Sequence, residues 1–338
     1  MHDYICLIIS LILIVAASSI FCNALEHLGE RLGVSAGVTG SIFAAVGTAL
    51  PETIIPILAI ATANGNAVNN EIGVGAILGA PLMLSTLSVF VMAISVFTKR
   101  GISGKIKPEA SGLERDLLFF LASYFLAFAC ALIPENPLTR FINVVISILL
   151  LGSYFLYLLL TIKSSAKLVD SGHVTVADEK LFLTRFGFKL NNIIIIVQLL
   201  LALVLLLYCA EMFIDAVKGI AFAHQFSPFL LSLIIIPIAT ELPEKINSVL
   251  WLRRGKDTLA VGNITGAMVF QGTLLPVIGI LFTNWSLDSK LPMISIAITL
   301  LATLWLYFNL KHGGLKVWHF FINGLLYILN ISILIFYG

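Results

Sequence analysis

The chain of 338 residues is 59% hydrophobic and 11% charged, with a mean hydropathy of +1.04 and a net charge of +2. A soluble domain carries about 25% charged residues, so the composition excludes an ordinary soluble domain and reads as an all-α polytopic membrane protein. Nothing in it supports nucleic-acid binding, and the four cysteines, Cys6, Cys22, Cys130 and Cys209, stand singly in apolar runs as small hydrophobes without metal-ligand spacing.

A hydrocarbon core about 30 Å thick needs about 20 apolar residues per helix. That length predicts ten spans, near 4–25, 36–61, 72–97, 115–133, 138–162, 192–217, 227–252, 258–282, 290–310 and 316–336. The first is a span and not a cleaved leader, because His2-Asp3 makes a poor basic start and the run from Tyr4 to Cys22 is long enough to cross. The connections after spans one, three, five, seven and nine hold sixteen of the twenty Lys and Arg residues. By the positive-inside rule these connections are cytoplasmic and both termini face outward across the cell membrane.

The longest connection, 163–190, is polar and mixed in charge, and it divides the chain into five-span sets at 1–162 and 191–338. Five is odd, so the second set enters from the opposite face and any internal repeat is inverted. A repeat is present. Gly47-Thr48-Ala49-Leu50-Pro51-Glu52 returns as Ala239-Thr240-Glu241-Leu242-Pro243-Glu244 at an offset of 192, with Ser35 matched to Ser227. Further on, Gly75, Gly79 and Ala80 match Gly262, Gly266 and Ala267 at an offset of 187.

These motifs carry the chemistry. Pro51 and Pro243 cannot donate to the carbonyls four residues back, those of Gly47 and Ala239, which become candidate cation ligands in broken helices at the centre of the bilayer. Pro56, Pro81, Pro237 and Pro276 loosen the same four spans. Thr48 and Glu52, like Thr240 and Glu244, are four residues apart and share a helix face. Oxygen donors of this kind suit hard cations such as Ca²⁺, Na⁺ or Mg²⁺, and an acidic side chain at mid-membrane costs about 2.5–3.5 kcal/mol, which marks Glu52 and Glu244 as functional. Close helix approach is the simpler reading of Gly73, Gly75, Gly79, Gly262 and Gly266, with ion contact through Asn263, Thr265 or Gln271 beside it.

At these residues the chain resembles the cation/calcium exchanger superfamily, the sodium/calcium and proton/calcium antiporters. Members carry a G-T-S-L-P-E-like stretch and then a G-N-x-x-G-S-N-I-x-N/D-like stretch in each of two inverted five-helix repeats. The first element matches in both halves. The second departs: Ala80, Pro81 and Leu84 stand where Ser, Asn and Asn or Asp are usual, and Gln271 stands where an acidic or amide ligand belongs. The resemblance implies a central ion site and alternating access, with fewer sodium sites, proton coupling or another divalent cation left open by the missing ligands.

Glu241 and Lys245 also depart from that pattern, and their spacing, with Glu first, is the favourable helical pairing. A mutually neutralising pair would leave Glu52 and Glu244 to match one divalent ion or two protons. The alternative makes Lys245 a tethered cation that enters the empty site or takes part in proton coupling. Elsewhere, Glu26, His27 and Glu30 read as a solvated helix end, with a regulatory cation contact as the alternative, Glu211 and Asp215 as an outer vestibule or a solvated face, and Trp285, Trp305 and Trp318 as interfacial anchors.

The expected function is a secondary active antiporter, not an enzyme, that exports a divalent cation, Ca²⁺ first among them, in exchange for Na⁺ or H⁺. The partners are inorganic cations and the lipid bilayer, with no cofactor. A passive channel and a membrane-embedded enzyme are the competing readings, and the sequence holds no H-E-x-x-H pair or surface aspartate cluster for the latter.

Overall fold

The computed structural model describes residues 2–49, 53, 56–57, 60, 67–134, 138–223, 241–283, 285 and 290–337. These residues are mostly helical. The first helix, α1, is His2–Leu32, and α2 covers Ala36–Thr48. Helix α3 begins at Ala67–Met83, passes through a π-helical stretch at Leu84–Ser88 and continues as Val89–Arg100. Next come α4 (Ala110–Ala131), α5 (Thr139–Asp170) and α6 (Asn192–Ala223). The last four are α7 (Leu242–Arg253), α8 (Asp257–Phe282), α9 (Lys290–Lys311) and α10 (Val317–Tyr337).

Among the described residues, α1, α3, α5, α6, α8, α9 and α10 each supply enough apolar length to cross a membrane, seven in all. The protein is therefore an integral multi-pass membrane protein. Helix α4 carries Glu114, Arg115 and Asp116 within its first two turns and is not one of the seven. The expected spans 36–61 and 227–252 coincide only in part with α2 and α7, because the rest of each lies outside the described residues. Helix α5 runs on to Asp170, so the connection expected from 163 opens at Ser171 instead.

Burial separates a centre from a periphery. The membrane-length windows of α3 and α8 are each 78% buried, against 33% in α1 and α5. Helix α8 is wrapped by α2, α4, α5 and α7, whereas α1 lies along α6. The outer faces of α5 and α6, with Phe141, Ile148, Leu159, Ile193, Leu201 and Val204 exposed, suit contact with lipid acyl chains.

Local sequence explains the irregular helices. Ser35 starts α2 by accepting a hydrogen bond from the Val38 backbone N–H at 3.3 Å. Within α2, Thr39–Ala44 is π-helical, and in α3 a π-helical stretch follows Pro81, whose ring removes a backbone donor. The Ser85 and Thr86 hydroxyls donate to the Leu82 carbonyl beside it. Such hydroxyl bonds compensate backbone groups where no water is at hand.

The connections expected on one side of the membrane do come together. Ala36 N–H donates to the His173 carbonyl at 3.0 Å, and Thr175 N–H to that of Val34 at 3.1 Å. Lys105 and Ile106 pair antiparallel with Lys316 and Leu315 in a two-stranded ribbon, β1 and β2. Arg100 forks onto Asp257 with two 2.7 Å contacts, while Lys107 N–H reaches the same carboxylate at 2.7 Å.

This face corrects one expectation. Glu26 is 1% exposed and paired, not solvated: it receives Lys256 Nζ at 2.7 Å and Trp251 Nε1 at 2.9 Å. His27 is buried beside it, its Nε2 2.9 Å from the Glu179 carbonyl. The connection at 171–191 folds back over the end of α1, which periodicity within α1 cannot reveal. Trp285 differs too. It is buried, donates to the Ala127 carbonyl at 3.0 Å and covers Gly279, so it packs inside the bundle and anchors no interface.

Candidate functional site

Helix α7 begins where the second motif predicts a break, by a different geometry. Glu241 is its N-cap residue, with φ −87° and ψ 10°, and Pro243 sits in the first turn. There a missing N–H costs nothing, since first-turn donors have no intrahelical partner. Pro243 therefore sits where α7 opens. Glu244 also lies in that first turn, at the positive end of the helix dipole.

The side chains around this start are deeply buried. Glu241, Glu244 and Gln271 are 0% exposed, and Lys245 is 4%. Lys245 Nζ lies 3.1 Å from Glu241 Oε2, one helical turn apart, and Gln271 of α8 is within hydrogen-bonding reach of the same carboxylate. Removing one partner from a buried ion pair costs about 3–5 kcal/mol, so the two side chains hold each other in place. Asn263 fastens α7 to α8 by donating to the Glu244 carbonyl at 3.1 Å and the Ser248 hydroxyl at 2.9 Å.

From the first motif, Thr48 ends α2 and is 1% exposed. Its hydroxyl donates back to the Ala44 carbonyl at 3.0 Å, which leaves the oxygen lone pairs for a cation. Gly47 faces α1, where an added Cβ would meet Phe21 at 3.2 Å. Pro51, Glu52, Ala239 and Thr240 lie outside the described residues. The structure thus groups Glu241, Lys245 and Gln271, sets Glu244 in the first turn of α7, and places Thr48 at the end of α2.

The glycines of α8 serve close approach. A Cβ on Gly262 would stand 2.7 Å from Ser41 Oγ, one on Gly266 would collide with the Ser41 backbone, and one on Gly40 would stand 2.8 Å from the Leu259 carbonyl. Helices α2 and α8 meet nearly backbone to backbone here.

One buried acid was missed by motif reading. Asp116 of α4 is 1% exposed and accepts hydrogen bonds from Ser41 Oγ at 2.8 Å, Thr265 Oγ1 at 2.6 Å and Tyr157 OH at 3.0 Å. Each bond to a charged acceptor contributes about 1.5–3 kcal/mol, together of the order that burying a carboxylate costs. Its only sequence signal was an acid just inside the predicted span 115–133.

The sodium/calcium exchanger protein family model matches residues 2–163 and 194–336. The chain belongs to the sodium/calcium exchanger family. An uncharacterized membrane protein of Methanocaldococcus jannaschii is 24% identical over 334 residues, covering 96% of this chain and 95% of that one. The inner membrane protein YrbG of Escherichia coli is 25% identical over 287 residues, covering 83% and 80%. Among solved structures, the sodium-calcium exchanger NCX_Mj soaked with Na⁺ and Ca²⁺ superposes with a TM-score of 0.74 at 22% identity, over 98% of both chains. That likeness supports the fold of this family member. The family is one of transporters, in keeping with a centre made of oxygen donors inside a membrane bundle.

Proposed function

We propose that the protein is a secondary active antiporter that moves a divalent cation, Ca²⁺ first among the candidates, out of the cell in exchange for Na⁺ or H⁺. The observation that carries this reading is the buried acidic start of α7 in a chain of the exchanger family, with Glu241 already neutralised by Lys245. Glu244 and Glu52 then supply the charge that alternates between a divalent ion and its counter-ions. Thr48, Thr240, Gln271 and the carbonyls of Gly47 and Ala239 are the proposed neutral donors.

The chain is read as two inverted five-helix repeats, 1–162 and 191–338, joined by 163–190, with ten spans and both termini outward. The paired motifs support this, as does the meeting of the odd-numbered connections on one face. Positive-inside bias makes that face cytoplasmic.

Uptake of ⁴⁵Ca²⁺ into proteoliposomes under an imposed Na⁺ or H⁺ gradient is the test. Gradient-driven uptake is expected, falling to background in Glu52→Gln and Glu244→Gln. If no divalent cation tested moves with a gradient, the antiport reading fails; flux without counter-ion dependence would instead make the protein a channel.

A further inference from the structure

The connection between α5 and α6 holds a stretch that the proposed cation site does not use. Lys180-Leu-Phe-Leu-Thr-Arg185-Phe-Gly-Phe-Lys189-Leu190 leads into α6 with three cations, three phenylalanines and no acid. Its first half is fastened. Leu181 is fully buried, Phe182 N–H donates to Asn23 Oδ1 of α1 at 3.1 Å, and Leu183 N–H donates to Gln198 Oε1 of α6 at 2.9 Å. Gln198 Nε2 completes the set by donating to the same Asn23 oxygen at 2.9 Å. The second half faces away from the protein, with Phe186 79% exposed, Phe188 52% and Leu190 exposed beside them.

The anchors set the depth of this stretch. Gln198 stands six residues into α6 and Asn23 nine residues before the end of α1, about 9 Å and about 13 Å along the two axes at 1.5 Å per residue. Side chains lean toward a helix N-terminus, which takes Gln198 outward and Asn23 deeper, so the turn lies beside both helices and not beyond their ends. Helix α6, with 32 residues, is about 48 Å long against a hydrocarbon core of about 30 Å. Its first turns therefore stand in a headgroup layer, and the turn at 182–186 stands with them. In sequence, Phe186, Phe188 and Leu190 continue into Ile193 on the lipid-facing side of α6. The cations are placed among these apolar groups: Lys180 and Lys189 are exposed, and Arg185, 3.3 Å from Glu179, is still about half exposed.

We propose that residues 180–190 form an interfacial foot that docks on the anionic phospholipid surface of the leaflet on this face, the one that positive-inside bias makes cytoplasmic. Phe186 and Phe188 enter the boundary between headgroups and acyl chains, while Lys180, Arg185 and Lys189 meet phosphates and acidic headgroups. Stable surface attachment takes two signals, and this stretch carries both: aromatic area that any bilayer accepts, and cations that a negative leaflet selects. A second copy of the chain is a poorer occupant, because a two-fold contact through this patch would set its cations against their own copies. Through Asn23 and Gln198 the foot ties the peripheral pair α1 and α6 to the leaflet. The inference rests on the membrane class of the chain and not on the antiport reading.

Photocrosslinking of the full chain, reconstituted into vesicles of equal parts phosphatidylcholine and phosphatidylglycerol, tests the contact at the residues themselves. A photoreactive benzoylphenylalanine in place of Phe186, or separately of Phe188, is expected to give lipid adducts by mass spectrometry, with phosphatidylglycerol in excess over phosphatidylcholine. In place of Phe155, exposed on the outer face of α5, it should capture both lipids equally. Lys180→Gln and Lys189→Gln should each lower the phosphatidylglycerol excess at 186 by about fivefold, the ratio expected for one cation beside a charged leaflet, and leave the result at 155 unchanged. Absence of lipid adducts at both 186 and 188 overturns the proposal, as do adducts to a second copy of the chain. Equal capture of the two lipids at 186 and 188 overturns it as well.

Discussion

Glu241 and Asp116 are both buried acids inside the bundle, and they are held by opposite means. Glu241 has a cation one helical turn away on its own chain segment, Lys245 Nζ at 3.1 Å. Among the described residues Asp116 has dipoles in place of a cation, three hydroxyls brought from three other helices. A charge neutralised by its own helix keeps its partner as that helix moves. A charge held by hydroxyls from three helices depends on those helices staying together.

The contrast can be broken, with the largest effect at Glu241. Glu241→Gln leaves Lys245 buried without its carboxylate and should destabilise the protein by about 3–5 kcal/mol, read as a loss of thermal stability in detergent. Adding Lys245→Met should restore most of that stability, because an apolar replacement of a buried pair is close to neutral. A double variant no better than the single one would show that the pair does not act as a unit.

A smaller effect is expected where α2 meets α8. Gly266→Ala puts a methyl group into the Ser41 backbone, and overpacking of this kind costs about 1–3 kcal/mol. Its melting temperature should fall, and gradient-driven uptake should fall further than stability accounts for, since the contact joins Ser41 to α8. Unchanged uptake in a destabilised Gly266→Ala variant would separate this contact from transport.

The smallest effect marks the solvent limit of the comparison. Arg185 and Glu179, 3.3 Å apart and about half exposed on the connecting segment, form a pair worth about 0.2–1 kcal/mol. Arg185→Ala should lower stability by no more than that, and the difference should shrink as salt is added. A larger loss would mean that the segment over α1 carries more of the stability than its exposure implies.

Much of this was legible in the chain itself. Hydropathy identified a multi-pass helical membrane protein, because apolar length is all that a hydrocarbon core requires of a segment. The i, i+4 spacing of Glu241 and Lys245 announced their proximity, because helical geometry alone sets it. The glycines of α8 were readable as packing positions, although not as partners of Ser41 in particular. Pro243 was read as an irregularity, and it lies in the first turn of α7; the residues before Glu241 lie outside the described residues.

The sequence by itself determined the membrane class, the family's first motif in two copies, and the Glu241–Lys245 contact within one helical turn. Only the tertiary structure decided that Glu26 is buried under Lys256 and Trp251, that Trp285 faces inward, and that Asp116 sits among Ser41, Tyr157 and Thr265. The reason is the range of the interaction. Local spacing places residues that share a helix, whereas a hydroxyl from a distant segment becomes a partner only after packing has chosen which helix faces meet.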